Sequence, residues 1–303
     1  MKQNLKVTFV ILAMFITAQF LGLYAVNYYQ DADHALPYGL DTPEVQEQAE
    51  YNSYFYSIVI AFTIAVILLF LITKFKLAVI MRVWFFTVIL IALGLFINTL
   101  IPDMKYASLF ALIIALPLTL SKLVERNLLV HNITELMIYP GIAAIFVAFF
   151  NIYTVIALLI LISIYDAWAV WHSRIMQKMV KFQIDKLKIF SGFFVPYASK
   201  KVRLKIKQMK KKGIKDKKIK VNVALLGGGD VIFPIVTSGI MLITFGFWSA
   251  IATIFGAVLG LSYLFFLAEK RNAYPAMPFI TAGMFLGMLV SYLFIILILL
   301  CSH

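Results

Sequence analysis

Two carboxylates stand in stretches that otherwise hold only apolar, small or aromatic residues: Asp166 in "LISIYDAWAV" (161–170) and Asp230 at the end of "LLGGGD" (225–230). An ionisable side chain at membrane depth is costly and marks function by default. Two carboxyls brought together in low dielectric cannot both ionise easily, so they share a proton. One then serves as general base on a water while the other donates to a carbonyl, which is the acid–base hydrolysis of a peptide bond by an aspartate dyad. That chemistry needs two carboxyls and a water, and no cofactor. It suits a chain whose four histidines (His34, His131, His172, His303) are scattered and whose single Cys301 lies near the C-terminus. Neither offers a metal-ligand cluster or a disulfide framework. The two acids alone leave a buried structural pair or a transporter's proton relay open.

Gly227, Gly228 and Gly229 precede Asp230 directly. Three successive glycines let the backbone leave helical geometry or approach another chain closely; tight helix packing is the plainer alternative. The preceding "KIKVNVAL" (218–225) alternates, with Ile219, Val221, Val223 and Leu225 on one face and Lys218, Lys220, Asn222 and Ala224 on the other. That is a strand signal abutting the glycines. A protease acting on a helix must open it and hold it extended, and exposed backbone beside Asp230 suits such pairing.

The elements that must carry these residues are membrane spans. The chain has 303 residues and is 63% hydrophobic, with a mean hydropathy of +0.94; a soluble domain sits nearer half apolar. Stretches long enough to cross a bilayer occur nine times, roughly at 7–29, 54–73, 78–100, 106–121, 133–150, 153–172, 221–243, 247–268 and 278–300. The first is longer than a cleavable signal's apolar core and reads as a retained anchor. Pro117 and Pro140-Gly141 interrupt the fourth and fifth, which membrane helices tolerate.

The net charge of +13 is topological and predicts a lipid surface, with no nucleic acid as partner. With a cytoplasmic N-terminus, the inner loops hold Lys74, Lys76, Lys122, Arg126, Lys270 and Arg271, together with residues 173–220. The outer loops keep Lys105 and the acidic segment 31–50, the asymmetry expected of basic loops held inside. The chain therefore divides into spans one to six (1–172), a basic cytoplasmic loop (173–220) and spans seven to nine (221–303). The loop carries seventeen Lys and Arg against Asp185 and Asp216, and its "IMQKMVKFQIDKLKIF" has the spacing of an interfacial helix. Asn132 opens an Asn-Ile-Thr triplet, but on the cytoplasmic side no glycosylation is read into it.

This topology places both acids at comparable depth. Asp166 lies six residues before the inner end of span six, about 9 Å deep, and Asp230 nine residues into span seven, about 14 Å deep at helical rise. Consecutive spans are usually neighbours. Glu125, Glu135 and Glu269 lie near span ends and can reach the interface.

Three motifs in order then carry a resemblance: Tyr165-Asp166 on span six, Gly227-Gly228-Gly229-Asp230 on span seven, and Pro275-Ala276-Met277-Pro278 at the start of span nine. This resembles the presenilin and signal-peptide-peptidase family of intramembrane aspartyl proteases, with its YD, GxGD and Pro-Ala-Leu motifs. The resemblance implies an all-α membrane protein of nine helices, with Asp166 and Asp230 as the catalytic pair and Tyr165 as neighbour of the first. Gly227 and Gly229 match the motif glycines, and Gly228 holds its variable place. Pro275, Ala276 and Met277 match the element that shapes the site. Met277 replaces the family's leucine, a thioether of similar volume.

The cytoplasmic N-terminus matches the presenilin branch, so substrates would be transmembrane proteins with their N-terminus outside. The missing long hydrophilic loop resembles the compact archaeal members of prokaryotic plasma membranes, which act without accessory subunits. A proton-coupled transporter would show inverted repeats with matched broken helices, and "GGGD" has no counterpart in the first half. A prepilin-peptidase-like enzyme shares a GxGD-type motif but not "PAMP" on the last of nine spans.

Overall fold

The computed structural model describes residues 5–31, 34–40, 48–75, 78–101, 104–124, 127–173, 191–197, 222–267 and 274–301. Among them run nine α-helices: α1 (Leu5–Gln30), α2 (Gln48–Phe75), α3 (Ala78–Asn98), α4 (Ala107–Val124), α5 (Leu128–Val147), α6 (Ile152–Trp168), α7 (Gly229–Phe245), α8 (Phe247–Leu267) and α9 (Met277–Cys301). They follow the nine expected spans in order. Among the described residues, α1, α3, α4, α5, α6, α8 and α9 are long and apolar enough to cross a bilayer by length and composition, and α7 is a shorter apolar helix. The expected interfacial helix at 175–190 and residues 218–221 of the alternating segment lie outside the described residues, as do Glu125 and Glu269.

Local chemistry sets the helix ends nearest the acids. Asn127 caps α5 by accepting from the Leu129 amide. Asn151 and Thr154 form a reciprocal capping box at the start of α6, which satisfies two of the orphan amides every helix start leaves. At its other end α6 relaxes into a π-turn, Ala169–Ser173, just beyond Asp166. Such turns recur at functional sites.

The seventh span departs from the sequence reading. Its helix begins at Gly229 rather than near 221, because residues Asn222–Gly227 form a strand, β2. This strand pairs antiparallel with β1, Gly192–Tyr197, with Phe194 opposite Leu225 and Gly192 opposite Gly227. The sheet is thus an addition to an otherwise helical architecture, and β1 rises from the basic loop.

One large core joins α1, α3, α5, α6, α7, α8 and α9 through residues such as Phe15, Leu93, Tyr139, Leu159, Ile235, Leu261 and Ile280. Close helix approach is clearest between α8 and α9. A Cβ on Gly256 would stand 2.1 Å from the Gly283 carbonyl oxygen, and one on Gly283 2.1 Å from that of Gly256. Only hydrogen side chains fit there, and without a hydrophobic force between helices in lipid it is this packing that holds the pair. Ser291 Oγ adds a bond to Ser249 Oγ at 2.6 Å. The α8–α9 pair is therefore one closely packed unit, whereas among the described residues α2 touches α3 and α6 only lightly.

Glu135 does not reach the interface. It is 1% exposed and accepts from Lys122 Nζ at 2.7 Å. A partner on α4 makes burial tolerable where an isolated carboxylate would have to seek water.

Candidate active site

Asp166 sits near the end of α6 and is buried. Its Oδ2 accepts from the Met277 amide at 3.0 Å, and the Ala276 amide also faces the carboxyl. These are orphan donors at the start of α9, the natural anion-holding end of a helix. The motif explains why they are available. Pro275 precedes them and Pro278 falls in the first turn, where a missing N–H is no loss. Ser163, one turn before Asp166, donates to Thr281 Oγ1 at 2.8 Å, so α6 and α9 are pinned at two levels. Pro275 and Met277 are buried; Tyr165 is partly exposed beside Asp166 on α6.

Asp230 is the second residue of α7 and is partly exposed. The Gly227 amide bonds its carboxyl, so the last residue of β2 and the first turn of α7 meet at this side chain. Asp166 and Asp230 are brought within electrostatic reach of each other. The structure thus places both acids, the glycines and the Pro-Ala-Met segment around one point.

The three glycines divide their work. None has a positive φ, so space rather than backbone handedness calls for them. A Cβ on Gly227 would lie 3.1 Å from Asp230 Oδ2, and one on Gly228 would meet Ser191 Oγ at 2.7 Å and the Tyr139 ring at 3.1 Å. At Gly229 the nearest atom, on Phe233, would be 3.6 Å away, an ordinary contact. The crowded position is Gly228, the one that the motif leaves variable.

Gly229 also faces an apolar cavity of about 390 Å³ between α2, α5, α6 and α7, lined by Ile58, Ile142, Phe146, Leu161 and Phe233 among others. The hairpin runs to the same place. The outer side of β1 is already engaged: Gly192 O lies 2.8 Å from His131 Nε2, and Phe194 exchanges two bonds with the Asn132 side chain. Alternation along an antiparallel ladder then turns the amides of Val223, Leu225 and Gly227 to the opposite edge of β2. Gly227's bond to Asp230 fits that assignment, and no third strand among the described residues covers this edge.

Sequence reasoning missed Asn132, His131 and the Lys122–Glu135 pair. Polar residues one and four positions after His131 at a helix start (Asn132, Glu135) were a signal, but one that solvent-facing side chains also give.

The chain matches the sequence model of a family described as signal-peptide peptidase, presenilin aspartyl protease, over residues 12–297. No curated relative matches it. Its fold is similar to a solved structure of a presenilin family intramembrane aspartate protease in space group C222, with a TM-score of 0.60 and 20% identity over 95% of this chain and 99% of that one. A second such structure, in space group P2, gives a TM-score of 0.59 and 19% identity over 94% and 96% of the two chains. With a match running nearly from end to end, the chain belongs to the signal-peptide-peptidase and presenilin family of intramembrane aspartyl proteases.

Proposed function

We propose that Asp166 and Asp230 are the catalytic pair that hydrolyses a peptide bond within a transmembrane helix. The observation that carries this is their meeting across α6 and α7, one held by the start of α9 and the other by the end of β2. A substrate span enters sideways past α2, whose light contacts leave that side open, and its helix rests against the apolar cavity beside Gly229. Its end unwinds and pairs with the open edge of β2, where a backbone ladder replaces the lost helical bonds.

A water between the acids attacks the scissile carbonyl carbon. One carboxylate takes the water's proton while the other carboxyl gives its own to the carbonyl oxygen. The gem-diol intermediate then collapses: the C–N bond breaks, the leaving nitrogen takes the proton held by one carboxyl, and a hydroxyl of the diol gives its proton to the other carboxylate as the new C=O forms. The new carboxyl and amine ends depart, and the dyad again holds one proton. Tyr165, Gly227, Gly228, Gly229, Pro275, Ala276 and Met277 shape the site without joining the proton transfers.

The basic loop and the acidic 31–50 segment support a cytoplasmic N-terminus and an outer C-terminus. Substrates then run with their N-terminus outside. The compact chain supports a stand-alone enzyme of a prokaryotic, archaeal-type plasma membrane, working without accessory subunits. The test is purified chain with a model single-span substrate, products read by mass spectrometry. Cleavage inside the span, absent in folded Asp230→Asn and Asp166→Asn, is expected. Proteolysis surviving in either variant overturns the dyad.

A further inference from the structure

The start of α5 carries a polar cluster that takes no part in the chemistry above. Asn132 Nδ2 donates to Phe194 O at 2.8 Å, and Phe194 N donates to Asn132 Oδ1 at 3.0 Å. That exchange copies the paired bonds between opposite residues of two antiparallel strands, with a side-chain amide standing in for a peptide. His131 Nε2 meets the preceding outward carbonyl, Gly192 O, at 2.8 Å. A carbonyl only accepts, so Nε2 carries the proton and Nδ1 is left to receive Lys122 Nζ at 3.4 Å. The next outward position is Pro196, which has no N–H to satisfy.

Behind this edge the bonds continue. Lys122 joins Glu135 Oε1 at 2.7 Å, and Glu135 Oε2 accepts from Ser191 Oγ at 3.3 Å. Ser191 O in turn accepts from the Gly228 amide at 3.4 Å. A chain of polar contacts thus runs from α4 through α5 and the root of β1 to the residue two before Asp230. Its ionic core is dry, with Lys122 and Glu135 side chains 3% and 1% exposed. Such a pair is tolerable only in one well-bonded arrangement.

We propose that Asn132 is a positioning residue. Its amide closes the outer edge of β1 as a surrogate strand, docks the hairpin on α5, and thereby fixes the height at which Asp230 and the open edge of β2 meet the substrate. This rests on the catalytic reading above and adds a determinant of where the cut falls. Without the Asn132 bonds the hairpin keeps its polar ties at Ser191, Gly192 and Gly227–Gly228, all at one end of the ladder, and the stretch from Phe194 onward can shift relative to the acids. The cost would appear as scattered cleavage positions as well as lost rate, because small misplacements of a bond to be attacked are felt strongly.

The test compares Asn132→Leu and Asn132→Asp with the unaltered chain, on the same single-span substrate and by amide hydrogen exchange. Leucine removes both bonds at similar volume; aspartate keeps the acceptor for Phe194 N–H and loses the donor, which covers the case where leucine prevents folding. For Asn132→Leu the Phe194 amide should exchange about tenfold faster or more. The Phe193 and Val195 amides, bonded to β2, should stay protected, showing a formed but undocked hairpin. Cleavage should fall about tenfold and spread to neighbouring peptide bonds, with Asn132→Asp in between. Unchanged Phe194 exchange, or unchanged cut positions with faster exchange, overturns the role given to Asn132. An unaltered chain that cuts nothing overturns the dyad instead, and the exchange data still decide the docking.

Discussion

The backbone amide of Met277 donates to Oδ2 of Asp166 at 3.0 Å, joining residues 111 positions apart in the chain. Because the donor is backbone, the side chain at 277 is free to change. Met277→Leu should leave kcat/KM within about twofold, since volume is kept. Met277→Pro removes the donor and should lower kcat/KM by roughly tenfold to a hundredfold, the value of a charge-assisted bond. Steady-state cleavage of one substrate by both variants checks the contrast.

The two edges of β2 make opposite demands on proline. The Leu225 amide faces the open edge, so Leu225→Pro should keep the hairpin but block pairing with substrate, much as Pro196 sits harmlessly on β1. Ala224 lies opposite Val195 at a bonded position, so Ala224→Pro should unseat the hairpin itself. Activity should fall in both. Hydrogen exchange at Phe193 and Val195 should stay slow only in the first. Full activity in Leu225→Pro would remove strand pairing from the mechanism.

Activity should be bell-shaped in pH, because the working dyad holds one proton and loses function when it has two or none. Rates of in-span cleavage across pH 4–10 in a stable detergent check this. A rate that climbs without a maximum into strong alkali would leave no place for the shared proton.

Glycines in this chain should not be equally replaceable. Gly283→Ala sets a methyl 2.1 Å from the Gly256 carbonyl and should lower the melting temperature through overpacking of about 1–3 kcal/mol. Gly229→Ala has room and opens a helix, so it should leave stability unchanged or raise it by up to about 1 kcal/mol. Thermal unfolding of the two purified variants separates the cases.

Much of this architecture is legible in the residues. Runs of about twenty apolar residues give the nine helices because lipid admits few other solutions. The three motifs give the points that converge. What stays hidden depends on partners. "VNVALL" is as apolar as a helix, so counting hydrophobic residues put the start of span seven eight residues early, although the alternation in 218–225 pointed to the strand. The other strand, "GFFVPY", does not alternate and cannot be seen without its mate. Glu135 looks like an interfacial acid until Lys122 is known to face it. The Met277 amide carries no sequence signal at all.

The brevity of α7 has a consequence for how the reaction is fed. Seventeen residues span about 26 Å at helical rise, less than the ~30 Å hydrocarbon core. On that length the helix falls short of a full crossing, and the strand β2 continues the chain directly before its first residue. Asp230 sits at that junction and keeps some exposed surface. Under the proposed mechanism the second reactant would then need no channel through the protein: it would be drawn from the adjoining aqueous phase, while the first comes through the oil.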